Sequence, residues 1–219
     1  MLINLESKHW KRGIRYIAGV DEVGRGCLAG PMVVSAVVLD TKHLNDCLIY
    51  NDVDSETYRA YNQIKDSKLL APKKRFTLAS FIKKHAISYH IEVIKHTKLD
   101  EWGISKSTQI GFYNAVKGLE PFPEHIFTDN FRINAINENI QTNIPKGDTL
   151  SITVAAASII AKVYRDELMV RLHNNSETYK IYGFDKNKGY GTKYHLSALY
   201  KYGASDIHRK SFAPIKYLD

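Results

Sequence analysis

Apolar residues along this chain fall in short blocks, none approaching the roughly 20 needed to span a bilayer. YIAGV (16–20) reads as a strand, and PMVVSAVVL (31–39), apolar around Ser35, as a second one. A polar loop with some helix follows over 40–65, with Asn51, Asp52 and Asp54 clustered in it. Pro72 marks a helix start, and Phe76, Leu78, Phe81 and Ile82 form an apolar stripe against Lys73, Lys74, Lys83 and Lys84. Residues 86–94 alternate as a strand. Residues 107–116 read as a helix stopped by Gly118, and 126–128 as a very short strand ending at Asp129. PKGDTLSITVAAASIIAKVYRDELMVRLH reads as a strand-like piece running into a long amphipathic helix. From Tyr179 the tail reads as loops around a helix at 195–202. This order of strands and helices predicts an α/β domain with a mixed sheet. The expected division is a polar lead-in over 1–13 and a single domain over 14–219.

Composition narrows the class. With 219 residues, 44% apolar and 25% charged, the chain can bury a substantial core. The opening MLINLESKHWKRG lacks the apolar core of a signal peptide. Cys27 and Cys47 supply neither a disulfide framework nor a cysteine-rich zinc site, so a cytoplasmic location is expected. A net charge of +8 favours polyanionic partners, yet no RGG tract, zinc-finger spacing or RRM-type motif supports a pure binding module.

The chemistry concentrates around GVDEVGRGCLAG. Gly24, Gly26 and Gly30 are spaced G-x-G-x-x-x-G, and the next element is a β-branched run opened by Pro31. A dinucleotide loop needs G-x-G-x-x-G and a helix N-terminus facing the pyrophosphate, so that reading loses its warrant. The glycines serve turn geometry, and a tight turn also bares its backbone to a ligand; Arg25 between them is suited to a phosphate. Acids beside buried strands are costly unless solvated, paired or metal-bound. Asp21 and Glu22 follow one strand, Asp129 follows another, and Asp148 precedes an apolar segment. Each alone is explained as a cap or turn former; together, on a basic chain, they point to a divalent-metal site of hard oxygens. Adjacent strand side chains face opposite ways, so Asp21 is the firmest ligand, and Glu22 depends on the glycine turn bending the chain. Asp166, four residues after Lys162 in a helix, is explained by an i,i+4 ion pair.

GVDEVGRGCLAGPMVVSAVVL, DSKLLAPKKR, KGDTLSITVAAASIIAKVYRDELM, KGYGTKYHLSAL and HRKSFAPI together resemble ribonuclease HII, the bacterial type 2 ribonuclease H, from about residue 14 to 214. The resemblance implies an RNase H-like fold: a mixed five-stranded sheet flanked by helices, with a C-terminal helical extension that holds substrate. It implies cleavage of RNA in RNA–DNA hybrids and at single ribonucleotides in duplex DNA. It also implies two Mn²⁺ or Mg²⁺ ions on the acidic quartet Asp21, Glu22, Asp129 and Asp148. Products would carry 5′-phosphate and 3′-hydroxyl ends. Gly24, Arg25 and Gly26 match the family's glycine loop and Tyr190 its substrate-sensing tyrosine.

Reading a ribose requires the 2′-hydroxyl, which bare backbone can pair with where a side chain would crowd it. Tyr190 is expected to stack on the sugar 3′ of the cut. Lys68, Lys146, Lys188 and Arg209 are phosphate-contact candidates. The rivals are a binding module that has kept the fold without catalysis, and a junction resolvase, which has no use for a 2′-hydroxyl reader. Two departures stand out: Asn130 occupies the place where many relatives have glycine, and 41–65 is longer than expected. A monomer without membrane contact is expected, and SFAPIKYLD carries no peptide motif supporting a replication clamp as partner.

Overall fold

The computed structural model describes residues 1–40, 44, 56–65 and 67–218. Most of the expected 41–65 insertion, including Asn51, Asp52 and Asp54, lies outside the described residues. The strands are β1 Ile17–Val23, β2 Met32–Leu39, β3 Ala86–Ile94, β4 His125–Asp129 and β5 Gln141–Ile144. The helices are α1 Asn4–Trp10, α2 Glu56–Asn62, α3 Pro72–His85, α4 His96–Lys117, α5 Ile152–Asn174, α6 Glu177–Lys180, α7 Phe184–Asn187 and α8 Lys193–Tyr202. Among the described residues no helix is long and apolar enough to cross a membrane.

The chain divides into two compact units. The first comprises Met1–Glu22, Val34–Glu92 and Phe112–Val163 and holds most of the sheet, ordered β3-β2-β1-β4-β5. β1 and β4 run parallel with Ile17 opposite His125, and β4 and β5 run parallel with Asp129 opposite Ile144. This is the mixed five-stranded sheet the resemblance implies. β2 is buried along its whole length, as its β-branched run requires. Val37 and Leu39 of β2 share one core with Leu78 and Ile82 of α3 and with Ile152, Ala155, Ala156, Ile159 and Ile160 of α5. The small residues of α5 permit close approach. At Gly19 a Cβ would sit 2.0 Å from the Thr153 carbonyl carbon, so β1 needs glycine where α5 begins.

The second unit comprises Val23–Val33, Val93–Gly111 and Tyr164–Asp219. Its core joins Ala29 and Met169 to Tyr182, Phe184, Ala198 and Ile207 from the C-terminal helices. Thr192 caps α8 by accepting from the His195 amide at 3.3 Å.

The structure corrects several expectations. Residues 1–13 are not merely a polar lead-in, because Asn4–Trp10 is helical and Glu6 is fully buried. Its Oε1 accepts from the Ser151 hydroxyl (2.6 Å) and from the Thr153 amide (3.1 Å) and hydroxyl (3.0 Å), at the start of α5. Burial pushes this carboxyl above its ordinary range. Phe76 leaves the α3 stripe and is exposed, since two residues before Leu78 is the opposite side of a helix. The helix read over 107–116 begins at His96 and is interrupted at Gly103, whose φ of 74° is left-handed. The strand-like piece read before the long helix is no strand in the structure: α5 opens at Ile152, and the fifth strand is the polar QTNI.

Candidate active site

β1 does not stop before the acids: it continues through Asp21 and Glu22 to Val23. Asp21 is therefore held in a strand and is 5% exposed, while Glu22 on the opposite face is half-buried. Asp21 Oδ1 accepts from the Glu22 amide at 2.7 Å. Ser158 of α5 donates a second hydrogen bond to the same carboxylate, and the Ser158 hydroxyl also meets the Ser67 hydroxyl at 2.9 Å. Burial drives the Asp21 pKa up from 3.8 to about 7; the charges of Asp129 and Asp148 add to the rise, and the hydrogen bonds from Ser158 and Glu22 oppose it.

Asp129 closes β4, and its parallel neighbour β5 leads into the turn that carries Asp148. Asp129 Oδ1 accepts from the Gly147 amide at 2.7 Å, which ties the two acids through one residue of backbone. Asn130 adopts φ 57° and donates to Asp129 Oδ2 at 2.9 Å. Asparagine tolerates the left-handed region better than most residues, so Asn130 holds this turn and adds a donor to the acid. Asp148, 5% exposed, lies 3.7 Å from the Lys68 ammonium. Lys68 is itself largely exposed, and Lys146, at φ 58°, is exposed as well.

The charges of Asp129 and Asp148 thus both bear on Asp21. Among the described residues no three His, Cys, Asp or Glu side chains already close around one ion position. The donor set nonetheless fits a hard divalent cation. It consists of carboxylate oxygens, and the buried Asp21 holds a proton at a pH where an ordinary aspartate has lost it. A cation supplies the positive charge that the proton otherwise brings.

The second unit contains the glycine loop. Gly24 has φ +88°, and a Cβ there would lie 2.0 Å from Arg165 Nε. Gly26 differs: it is exposed and a Cβ would meet nothing within 4 Å. Arg209, expected to contact phosphate, is instead fully buried. Its guanidinium donates to the carbonyls of Gly24 (2.7 Å), Arg25 (2.9 Å) and Gly30 (3.0 Å). Burial lowers its pKa to about 10, which leaves it charged at neutral pH. Arg165, also fully buried, donates to the carbonyls of Pro31 (2.8 Å), Lys188 (2.8 Å) and Ala29 (3.1 Å). In a trans peptide the carbonyl and the next amide point oppositely. Drawing the Gly24 and Arg25 oxygens toward Arg209 therefore turns the Arg25 and Gly26 N–H groups the other way.

Lys188 has φ 53°, and its ammonium donates to the Asp185 carbonyl, so it fastens its own turn. Tyr190 is 38% exposed, with the Arg165 guanidinium 5.7 Å from its ring centre. Its hydroxyl pKa is raised by burial to about 12. Three contributors escaped the sequence reading. Ser67, Ser158 and Arg165 carry no signal in the sequence beyond their places in the DSK block, in AAASIIAK and in VYRDELM.

The family model for ribonuclease HII matches residues 18–215. The chain belongs to the ribonuclease HII family. Ribonuclease HII of Acholeplasma laidlawii is 42% identical over 213 residues, covering 97% of this chain and 95% of that protein. Ribonuclease HII of Bacillus subtilis is 40% identical over 205 residues, covering 94% and 72%. Among solved structures, ribonuclease H2 from Pyrococcus horikoshii superposes with a TM-score of 0.70 at 23% identity, covering 92% of this chain and 96% of that one. Membership makes the protein a metal-dependent endoribonuclease of the ribonuclease H class.

Proposed function

We propose that the protein hydrolyses the RNA strand of RNA–DNA hybrids and nicks duplex DNA 5′ of single embedded ribonucleotides, leaving 5′-phosphate and 3′-hydroxyl ends. The observation that carries this reading is the buried Asp21, whose proton is retained to about pH 7 by burial and by the charges of Asp129 and Asp148. Asp21, Glu22, Asp129 and Asp148 would hold two Mn²⁺ or Mg²⁺ ions. Such ions, when bound, activate a water and stabilise the departing 3′-oxygen.

The chain's own residues divide the remaining work. Ser158 and the Glu22 amide orient the Asp21 carboxylate, and the Gly147 amide and Asn130 orient that of Asp129. Lys68 beside Asp148 balances negative charge there and offers a contact to substrate phosphate. The Gly26 amide and the open space above it suit an oxygen ligand of the size of a ribose hydroxyl. Arg25 is assigned to phosphate, and Tyr190 to the sugar 3′ of the cut. Lys146 and Lys188 remain candidates for phosphate contact; Arg209 serves the loop instead. A cytoplasmic monomer is part of the same reading.

The test is duplex DNA carrying one ribonucleotide, incubated with the protein and Mg²⁺ or Mn²⁺, with the nick mapped to nucleotide resolution. A single nick 5′ of the ribonucleotide is expected. No cleavage, or equal cutting of all-DNA duplex, overturns the proposal.

A further inference from the structure

Tyr190 is anchored by its backbone to a buried pair of histidines that the chemistry above does not use. His195 in α8 and His208 in the following turn are both fully buried. Their Nε2 atoms meet at 3.0 Å. The ends of this chain assign its protons. The Ser205 backbone amide donates to His208 Nδ1 at 2.9 Å, so that nitrogen carries no hydrogen. The Tyr190 carbonyl, 2.9 Å from His195 Nδ1, can only accept, so that nitrogen does carry one. Two neutral rings then fit with a single direction of donation: Ser205 N–H to His208, His208 Nε2–H to His195, and His195 Nδ1–H to the Tyr190 carbonyl. Protonating either ring would set two N–H groups against each other.

The surroundings hold both rings neutral and in place. Tyr182 lies edge-on to His208 at 4.7 Å, and Phe184 lies edge-on to His195 at 5.3 Å. The Tyr182 hydroxyl is itself bonded to the Gly203 carbonyl at 2.8 Å. At its far end the chain meets the turn that carries Tyr190: the Tyr190 carbonyl also accepts from the Thr192 amide at 2.8 Å, the Tyr190 amide donates to the Asn187 carbonyl at 2.9 Å, and Arg165 holds the preceding Lys188 carbonyl at 2.8 Å.

We propose that His195 and His208 are positioning residues for Tyr190: their directed hydrogen-bond chain fixes the tyrosine turn, and with it the preference for a ribose–deoxyribose junction. This rests on the assignment of Tyr190 to the sugar 3′ of the cut. A core that needed only filled volume would be served by apolar residues. Two histidines in one tautomeric order are warranted where a particular carbonyl must be held at a particular height.

A double-mutant cycle tests this on the full chain, reading kcat/KM on single-ribonucleotide duplex and Tm in parallel. Tyr190→Ala and His195→Leu are each expected to lower kcat/KM by about tenfold, the order set by loss of one oriented contact. The double variant is expected to be no slower than Tyr190→Ala, although its Tm carries the His195 loss in full. His195→Asn, which retains a donor near the Nδ1 position, is expected to recover much of the rate. If His195→Leu does not fold, His208→Asn replaces it: the Asn keeps an acceptor for Ser205 but ends the chain. Multiplying rate losses in the double variant, or no rescue by Asn, overturns the inference. Wild-type protein that fails to cut at the ribonucleotide overturns the parent assignment, so the two failures are distinguishable.

Discussion

Asp21→Asn should abolish cleavage while making the metal-free protein more stable. The folded protein retains the Asp21 proton up to about pH 7, whereas the unfolded chain releases it near 3.8. Between those values the folded state binds more protons, so this group's contribution to stability falls as pH rises through the window. Above pH 7 the loss is complete, on the order of 4 kcal/mol for a carboxyl held protonated across that span. Asparagine copies the neutral acid and keeps an acceptor for the Glu22 amide and for Ser158. In EDTA at pH 8 the variant should therefore melt higher by roughly 8 to 16 °C, taking about 2–4 °C per kcal/mol for a chain of this size. The gap should close as pH approaches 4. Adding Mn²⁺ should raise the Tm of the wild type and leave the variant nearly unmoved. Thermal unfolding followed by circular dichroism from pH 4 to 8, with and without the ion, reads all three outcomes. A variant no more stable than wild type at pH 8 in EDTA would refute the idea that burial, aided by the charges of Asp129 and Asp148, keeps Asp21 protonated.

Gly24→Ala should unfold the loop, since its φ of +88° is left-handed and the new Cβ meets Arg165. Gly26→Ala should keep the wild-type Tm yet cut ribonucleotide-containing duplex at least about tenfold more slowly, because the methyl fills space that only substrate needs. Arg209→Met should cost about 3–5 kcal/mol by leaving three loop carbonyls without their donor, and Arg209→Lys should restore little; a normal Tm with an altered salt dependence of DNA binding would return Arg209 to the phosphate contacts. His125 and His208 are each lowered from 6.5 to about 4 by burial, so protons bind the unfolded chain first and stability should fall as pH drops from 6.5 toward 4. That acid limb should persist in Asp21→Asn, whose own effect has the opposite sign.

What the sequence revealed follows the strength of its signals. β2 and β3 were legible to within a residue because a β-branched run and an alternating one leave little alternative. β5 was not. QTNI has no apolar run, and the strand is held by Gln141, whose side chain accepts from the Ile133 amide (2.8 Å) and donates to the carbonyls of Ile133 (2.9 Å) and Ile136 (2.6 Å). Such a tertiary tie leaves no periodicity. α1 was hidden because Glu6 reads as a solvated acid until its partners, about 145 residues away, are known. The acids were found because they are rare beside buried strands. Arg209 was assigned to phosphate on the general expectation that basic residues sit at the surface, whereas it is fully buried.

Arg165 and Arg209 explain why the glycine loop need not open a helix. A helix N-terminus presents N–H groups because its carbonyls are committed to the turn above. Here two buried guanidinium groups take the place of that turn. Together they hold the carbonyls of Gly24, Arg25, Ala29, Gly30 and Pro31 on one side, with no carboxylate among the partners named for them. The backbone between Gly24 and Gly26 then presents amide hydrogens on the other side. A strand can follow directly, as β2 does. The arrangement also makes a demand on sequence that turn geometry does not: Gly24 must be glycine for Arg165 to pass, whereas a Cβ at Gly26 would meet nothing within 4 Å, and on the proposed reading glycine there serves the substrate. Comparing the two alanine variants therefore separates the scaffold of the loop from its ligand, one residue apart from the arginine that lies between them.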